Sequence, residues 1–326
     1  MRKKSEFILI TGCAGFIGMH LVIRLLKAGY NVLGLDNLND YYDVSLKKAR
    51  LSHIEAEKGE FNEWCFIEGD INEIANHLAD YDVYGVVHLA AQAGVRYSLT
   101  HPEAYIKSNV EGFNQVLKYC SARNLDFFIY ASSSSVYGMA DKFPLKENQM
   151  THQPESLYAA TKIMNEMMAG IMKKTNGLQS VGVRFFTVYG PWGRPDMAPM
   201  LFTNAIMNGE VLKVFNNGEM ERDFTFIDDI VTGITSILEN FDKFENTAVV
   251  NIGKGNSDKL VDFISYLEEY LGQKAVREHM PMQKGDVVRT WADVSQLESL
   301  TGFEPKIGLK TGTKLFVDWY KLYHKC

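Results

Sequence analysis

An α/β fold, with a parallel sheet covered by helices on both faces and a smaller C-terminal lobe, is predicted by three features of the sequence. Short apolar runs alternate with helical stretches through the first half of the 326 residues. The first run, Phe7–Thr11, enters Gly12-Cys13-Ala14-Gly15-Phe16-Ile17-Gly18, a glycine turn between a strand and an amphipathic stretch. After Gly190 the texture changes to loops and shorter elements. Strand, crossover helix and strand in repetition build a parallel sheet buried on both faces.

Strands are expected over 7–11, 31–35, 64–68, 83–89 and 126–131, with a sixth at 180–185. Helices are expected near 17–28, 44–58, 71–80, 101–122 and 154–175. Beyond Gly190, Pro191-Trp192-Gly193-Arg194-Pro195 reads as a loop and Met200–Asn208 as a helix. Val211–Phe215 reads as a short strand, and Arg222–Ile227 leads into a helix over Asp228–Asn240. Ala248–Ile252 is β-like and is expected to rejoin the large sheet. A helix at 258–271, a loop at Met282–Thr290 and a last helix near 309–323 complete the chain. The expected division is residues 1–187 as a nucleotide-binding domain, with 224–254 returning to it. Residues 188–223 and 255–326 form the second lobe.

The formal charge of -6 gives no electrostatic case for nucleic acid as a partner. Cysteines at 13, 65, 120 and 326 show no CxxC and no metal spacing, so no metal and a reducing compartment are expected. Residues 1–10 are basic then apolar, but the run enters the glycine turn with no small-residue cleavage site after it. Nothing approaches the about 18 apolar residues of a membrane span, so a cytoplasmic enzyme is expected.

Ligands of parallel sheets gather beyond the carboxyl ends of the strands. Gly12, Asp36, Asp70, Ala90, Ser133 and Thr187 are all expected there, around one crevice. The glycine spacing is GxxGxxG, and its placement between strand and helix makes a Rossmann-type pyrophosphate site, with the free N–H groups of the helix start aimed outward. Gly12, Ala14, Gly15, Phe16, Ile17 and Gly18 are the candidate residues. Asp36 would accept from a ribose diol and repel a 2′-phosphate; Asn37 follows with no basic neighbour, which favours NAD over NADP. Asp70 and Ile71 either flank the adenine or, for Asp70, cap a helix. Ala90 and Ala91 form a small-residue passage for the dinucleotide.

Tyr158 and Lys162 stand four apart on an expected helix and so share a face. A free tyrosine, with a pKa near ~10, is a poor base at neutral pH. A nearby ammonium and a cationic nicotinamide ring would favour the phenolate, which can then take a hydroxyl proton. Lys162 would also hold the nicotinamide ribose. Ser132-Ser133-Ser134-Ser135 follows a strand and offers a hydroxyl to a sugar oxygen, with Ser133 preferred and Ser134 next. Tyr137 and the Trp319-Tyr320 pair read as packing, His88 as core or loop support, and Glu55-Ala56-Glu57-Lys58 as a solvated helix face.

With these residues in place, the chain resembles the extended short-chain dehydrogenase/reductase superfamily, nucleotide-sugar branch, and within it the UDP-glucuronate 4-epimerases. The resemblance rests on Asp36–Tyr42, Ala90–Arg96, Ser132–Gly138, Tyr158–Lys162, Arg184–Arg194, Pro195–Pro199, Arg222-Asp223-Phe224 and Gly285-Asp286-Val287. It implies C4 epimerisation of a UDP-hexuronate through a 4-keto intermediate, with tightly bound NAD regenerated in each cycle. It further implies that Tyr158 is the base, that Ser133 steadies O4, and that Thr187 and Arg194 meet the C5 carboxylate. Arg194 suits that task because its planar fork pairs with both carboxylate oxygens. Arg222 and Arg289 would meet the diphosphate, the strand through Leu212 and Val214 the uracil, and Arg96 the loop over nicotinamide and phosphates, unless it only braces that loop. A homodimer built on paired helices around 104–119 and 159–172 is also implied.

Departures narrow the resemblance. Related 4,6-dehydratases carry Thr-Asp-Glu where this chain has Ser133-Ser134-Ser135, and decarboxylating relatives carry glutamate at Ser135. Relatives acting on UDP-galactose usually have asparagine at Thr187 and lack the Gly-Pro-Trp-Gly-Arg loop. A decarboxylase or dehydratase, an epimerase of another UDP-sugar, and a non-catalytic nucleotide-binding regulator are the alternatives. The last would be expected to lose Tyr158 and Lys162.

Overall fold

Alternate residues of the first strand face opposite cores: Ile8 and Ile10 enter one apolar cluster and Phe7 and Leu9 the other. That arrangement requires helices on both faces, as the near-continuous apolar strand suggests. The computed structural model describes residues 6–59, 62–123, 125–246, 248–283 and 286–325. The basic residues before Glu6, Gly285 and Cys326 lie outside the described residues.

The first six strands are β1 (Glu6–Thr11), β2 (Val32–Asp36), β3 (Trp64–Glu68), β4 (Asp82–His88), β5 (Phe127–Ser133) and β6 (Val181–Phe185). Shorter ones follow: β7 (Thr187–Tyr189), β8 (Val211–Phe215), β9 (Glu221–Arg222) and β10 (Phe224–Phe226). The last three are β11 (Val249–Ile252), β12 (Asp258–Lys259) and β13 (Val276–Met280). The large sheet has seven strands in the order β11-β6-β5-β4-β1-β2-β3. Every neighbouring pair in it is parallel. The order reverses beside β1, so the crevice between the ends of β1 and β4 is the expected binding edge. β11 pairs with β6, the return that its β-like sequence predicts.

One face is covered by the helices Phe16–Lys27 and Ile227–Glu239, whose Leu21, Val22, Leu25, Ile230 and Ile234 are buried in the first cluster. The other is covered by Phe113–Ser121 and by Leu157–Asn176. The second lobe pairs β8 with β13 in parallel. It packs the helices Ala198–Asn208, Leu260–Leu271 and Leu309–His324 against one another.

Several expected elements differ. The helix expected at 71–80 is a 3-10 turn, Ile71–Glu73, and one short helical turn, Ile74–His77. The chain folds back at Leu78, whose carbonyl accepts from the Tyr81 N–H. The stretch expected as one helix over 101–122 contains a π-helical segment, Ile106–Gly112. Its wider turn carries Asn109 inward, where the side chain bonds both backbone groups of Gln92. The helix expected from 154 starts at Leu157, because Ser156 caps it by accepting from the Ala159 N–H. β13 and the helix Ser295–Thr301 had no clear periodic signal and went unforeseen.

Candidate active site

The helix Phe16–Lys27 begins after Gly15, which supplies no side-chain cap. The N–H groups of its first turn therefore have no intrahelical partner and face the open end of the sheet. Gly12 has φ of +72°, and a Cβ there would lie 2.7 Å from the Ala90 nitrogen. A Cβ on Gly18 would stand 2.1 Å from the Gly12 carbonyl oxygen. Only bare backbone fits at both positions, which leaves an uncapped helix start within reach of a phosphate. Gly18→Ala is expected to lower stability by about 1–3 kcal/mol and strip bound nucleotide. Thermal melting and the nucleotide released on denaturation would measure both.

Asp36 closes β2 and is buried at the mouth. Its carboxylate accepts from the Ala14 N–H at 3.1 Å and the Leu38 N–H at 2.9 Å. Burial raises its pKa, with Lys47 and the two N–H groups opposing. Ala14 thus serves the site through Asp36; its own surface is not among the cavity walls. Asp70 accepts from the Asn72 N–H at 2.9 Å, the cap envisaged for it, while still facing the cavity. His88 shares a 2.7 Å hydrogen bond with Thr11, whose hydroxyl also accepts from the Ala90 N–H. It braces the passage made by Ala90 and Ala91.

The open ends of the strands and the second lobe enclose a cavity of about 1240 Å³. Into it come Gly12, Gly15, Phe16, Ile17, Gly18, Asp36, Asn37, Asp70, Ile71, Ala90 and Ala91 from the nucleotide side. Ser133, Ser134, Tyr158 and Lys162 line its centre, and Arg96, Thr187, Arg194, Leu212, Arg222 and Arg289 its far half. Val214 shares the inward face of β8 with Leu212 but is fully buried in the core and is not part of the cavity wall.

At the centre, burial raises the Tyr158 pKa, while a hydrogen bond with Ser133 and the charge of Arg194 oppose that rise. Lys162 follows Tyr158 one turn along the same helix. Its ammonium donates to the Ala131 carbonyl at 2.8 Å, and burial lowers its pKa to about 8 against the pull of Glu166. Arg194 is a cation whose charge favours the phenolate. Ser133, whose Oγ donates to Ser135 Oγ at 3.1 Å, is the serine coupled to Tyr158. Ser132 instead donates to Glu166 at 2.6 Å, and Arg184 clasps the same carboxylate at 2.9 and 2.7 Å. This buried knot ties β5 and β6 to the helix carrying Tyr158 and Lys162.

Arg194 bonds Asp196 with two nitrogens, Nε at 3.0 Å and Nη2 at 2.5 Å. Arg289 does the same with Glu221, Nε lying 2.7 Å and Nη2 3.0 Å from its oxygens. Arg222 donates to the carbonyls of Glu221 and Val288, and Arg96 pairs with Asp286 at 3.2 Å. Two further residues went unrecognised in the sequence. Arg50, fully buried, donates to the Trp192 carbonyl at 2.7 Å, the Ala14 carbonyl at 3.1 Å and the Tyr42 hydroxyl at 2.6 Å. Asn109 donates to Thr161 Oγ at 3.1 Å, linking the 92–94 loop to the Tyr158 helix. An arginine in a helix gives no hint that its partners lie 142 positions away. Among the described residues no group of His, Cys, Asp and Glu is placed to hold a metal ion.

An uncapped glycine turn, an aspartate closing the next strand and a Tyr158–Lys162 pair lie in one cavity, an arrangement suited to nucleotide-dependent redox chemistry. The model of the NAD dependent epimerase/dehydratase family matches residues 8–253, and the chain belongs to that family. It is 43% identical to Protein CapI of Staphylococcus aureus over 98% of this chain and 99% of that one. It is equally 43% identical to UDP-glucuronate 4-epimerase 2 of Arabidopsis thaliana, over 99% of this chain and 77% of the other. Among solved structures, it is similar to UDP-glucuronic acid 4-epimerase of Bacillus cereus in complex with UDP-glucuronic acid and NAD. There the TM-score is 0.88 and the identity 34%, covering 97% of this chain and 99% of that one.

Proposed function

We propose that this chain interconverts UDP-glucuronate and UDP-galacturonate by epimerisation at C4, with NAD as a retained cofactor. The observation that carries the reading is Arg194, a cation in the same cavity as Tyr158, Ser133 and the uncapped glycine turn. The cofactor fits the residues present: phosphates at the first turn of Phe16–Lys27, adenosine ribose on Asp36, nicotinamide ribose beside Lys162 and Tyr158. A bound NAD would supply reversible hydride acceptance at C4.

The chain's own residues manage the proton and the pose. Tyr158, as phenolate, removes the proton of the 4-OH, and Ser133 donates to O4 as the carbonyl forms. Lys162 steadies the ribose. Thr187 and Arg194 hold the C5 carboxylate, keeping the C5–carboxylate bond out of line with the C4 carbonyl so that CO₂ is not lost. The end of β5 and the turn after it carry Ser133, Ser134 and Ser135, with no acid at these positions to act at C5. Arg222 and Arg289 meet the diphosphate, and Leu212 with its strand lies by the uracil. Residues 188–223 and 255–326 make up the UDP-sugar lobe. Adding UDP-glucuronate without NAD and following the anomeric protons tests this directly. A mixture of the two uronates supports it; UDP-xylose or a 4-keto pentose, with CO₂, overturns it.

The protein is read as a homodimer. On the helix Leu157–Asn176, Met164, Met167 and Ile171 form a stripe 42%, 63% and 57% exposed, with Ile106 beside it on the neighbouring helix. Met167→Glu is expected to convert the dimer to a monomer, seen as a halved mass in light scattering. No described helix is long and apolar enough to cross a membrane. The free thiols of Cys13, Cys65 and Cys120 suit a reducing, cytoplasmic setting.

A further inference from the structure

We propose that Asp196 is a specificity-determining residue: a resident carboxylate that weakens the hold of Arg194 on an anionic sugar. The proposal rests on the hexuronate reading above. Arg194 gives its Nε–Nη2 edge to Asp196. Tyr41 Oη donates to the same Asp196 oxygen at 2.9 Å. All three side chains line the cavity, and those of Arg194 and Asp196 keep 21% and 28% of their surface exposed.

Three separate segments build this chain of contacts. Tyr41 follows β2 and leans on the Tyr97 ring at 4.7 Å. Gly94, with φ of +100°, makes room for it: a Cβ there would stand 2.5 Å from the Tyr41 hydroxyl. Pro195 fixes the short connection between Arg194 and Asp196. The constellation is therefore placed by the fold and is not a passing surface pair.

Its consequence is electrostatic. A sugar carboxylate arriving at the remaining edge of the guanidinium meets an ion pair of net charge zero. With Arg194 at ~4 Å and Asp196 at ~7 Å, attraction and repulsion scale inversely with distance, so the resident carboxylate cancels more than half of the pull. An epimerase has reason for such restraint. The acid must be gripped firmly enough to be chosen over a neutral sugar, yet loosely enough for the 4-keto ring to turn over and for either product to leave.

The test is equilibrium binding of UDP-glucuronate and UDP-glucose to the NAD-loaded full chain, in a Tyr158→Phe background so that nothing turns over. Asp196→Asn keeps the shape and removes the charge. It is expected to tighten UDP-glucuronate about tenfold and move UDP-glucose less than about twofold. With Tyr158 restored, KM and kcat for UDP-glucuronate should both fall. Tyr41→Phe should act in the opposite direction, weakening UDP-glucuronate about threefold, because Asp196 then bears wholly on Arg194. Weaker acid binding by Asp196→Asn, or an equal shift for both sugars, overturns the proposal and leaves Asp196 a support for the loop. A chain with Asp196 intact that binds UDP-glucose better than the acid overturns the hexuronate reading itself, and this proposal with it.

Discussion

Tyr158→Phe is expected to lower kcat for UDP-glucuronate by about 10³-fold while KM stays within about threefold. The substitution removes one hydroxyl, the atom that carries the proton, and leaves the ring packed edge-on against Tyr105. NAD should remain bound and the melting temperature should barely change, because the glycine turn and Asp36, proposed to hold the nucleotide, are untouched. Steady-state kinetics with a count of bound nucleotide separates these effects. Loss of NAD along with activity would mean that the hydroxyl holds the cofactor, and a fully active variant would remove Tyr158 from the chemistry.

The second large effect is expected at Arg194. Arg194→Ala should cost about 10²-fold in kcat/KM for UDP-glucuronate and much less for UDP-glucose, since a charge-assisted bidentate partner is lost only to the acid. It should also shift the rising limb of the pH–rate profile upward. Burial raises the Tyr158 pKa and Arg194 opposes that rise, so removing the cation leaves the phenol harder to ionise. A larger share of turnovers should release CO₂, read as UDP-pentose in the product mixture. Unchanged discrimination between acid and neutral sugar would place the carboxylate elsewhere in the cavity.

Much of the architecture was legible because it is local. Phe7–Thr11 running into Gly12 and Gly15, then the apolar positions of Phe16–Lys27, carries strand, turn and helix in one continuous stretch. Asp36 closes the next strand in the same way. Tyr158 and Lys162 could be placed on one face from spacing alone. What escaped depends on distant partners. The π segment around Asn109 exists because Gln92 and Thr161 draw one side chain inward, and helix periodicity does not encode those contacts. The pairing of β8 with β13 joins Val211 to Val276 across the whole second lobe. Val214 was chosen with Leu212 because the two share a strand face, yet only Leu212 reaches the cavity while Val214 lies deeper in the core. Asp196 lay inside a recognised motif without a role, since only folding brings Tyr41 to it. Lys162 donates to the Ala131 carbonyl, a partner that its spacing from Tyr158 does not announce, and only folding brings the charge of Arg194 to bear on the phenol.

In this mechanism C4 loses its hydrogen to a retained cofactor and regains the same hydrogen on the other face. The most direct measurement incubates UDP-glucuronate carrying deuterium at C4 with the purified protein in ordinary water, with no NAD added. UDP-galacturonate that keeps its deuterium at C4 is the predicted result. Loss of the label to water, or no conversion until a stoichiometric oxidant is supplied, would contradict the account.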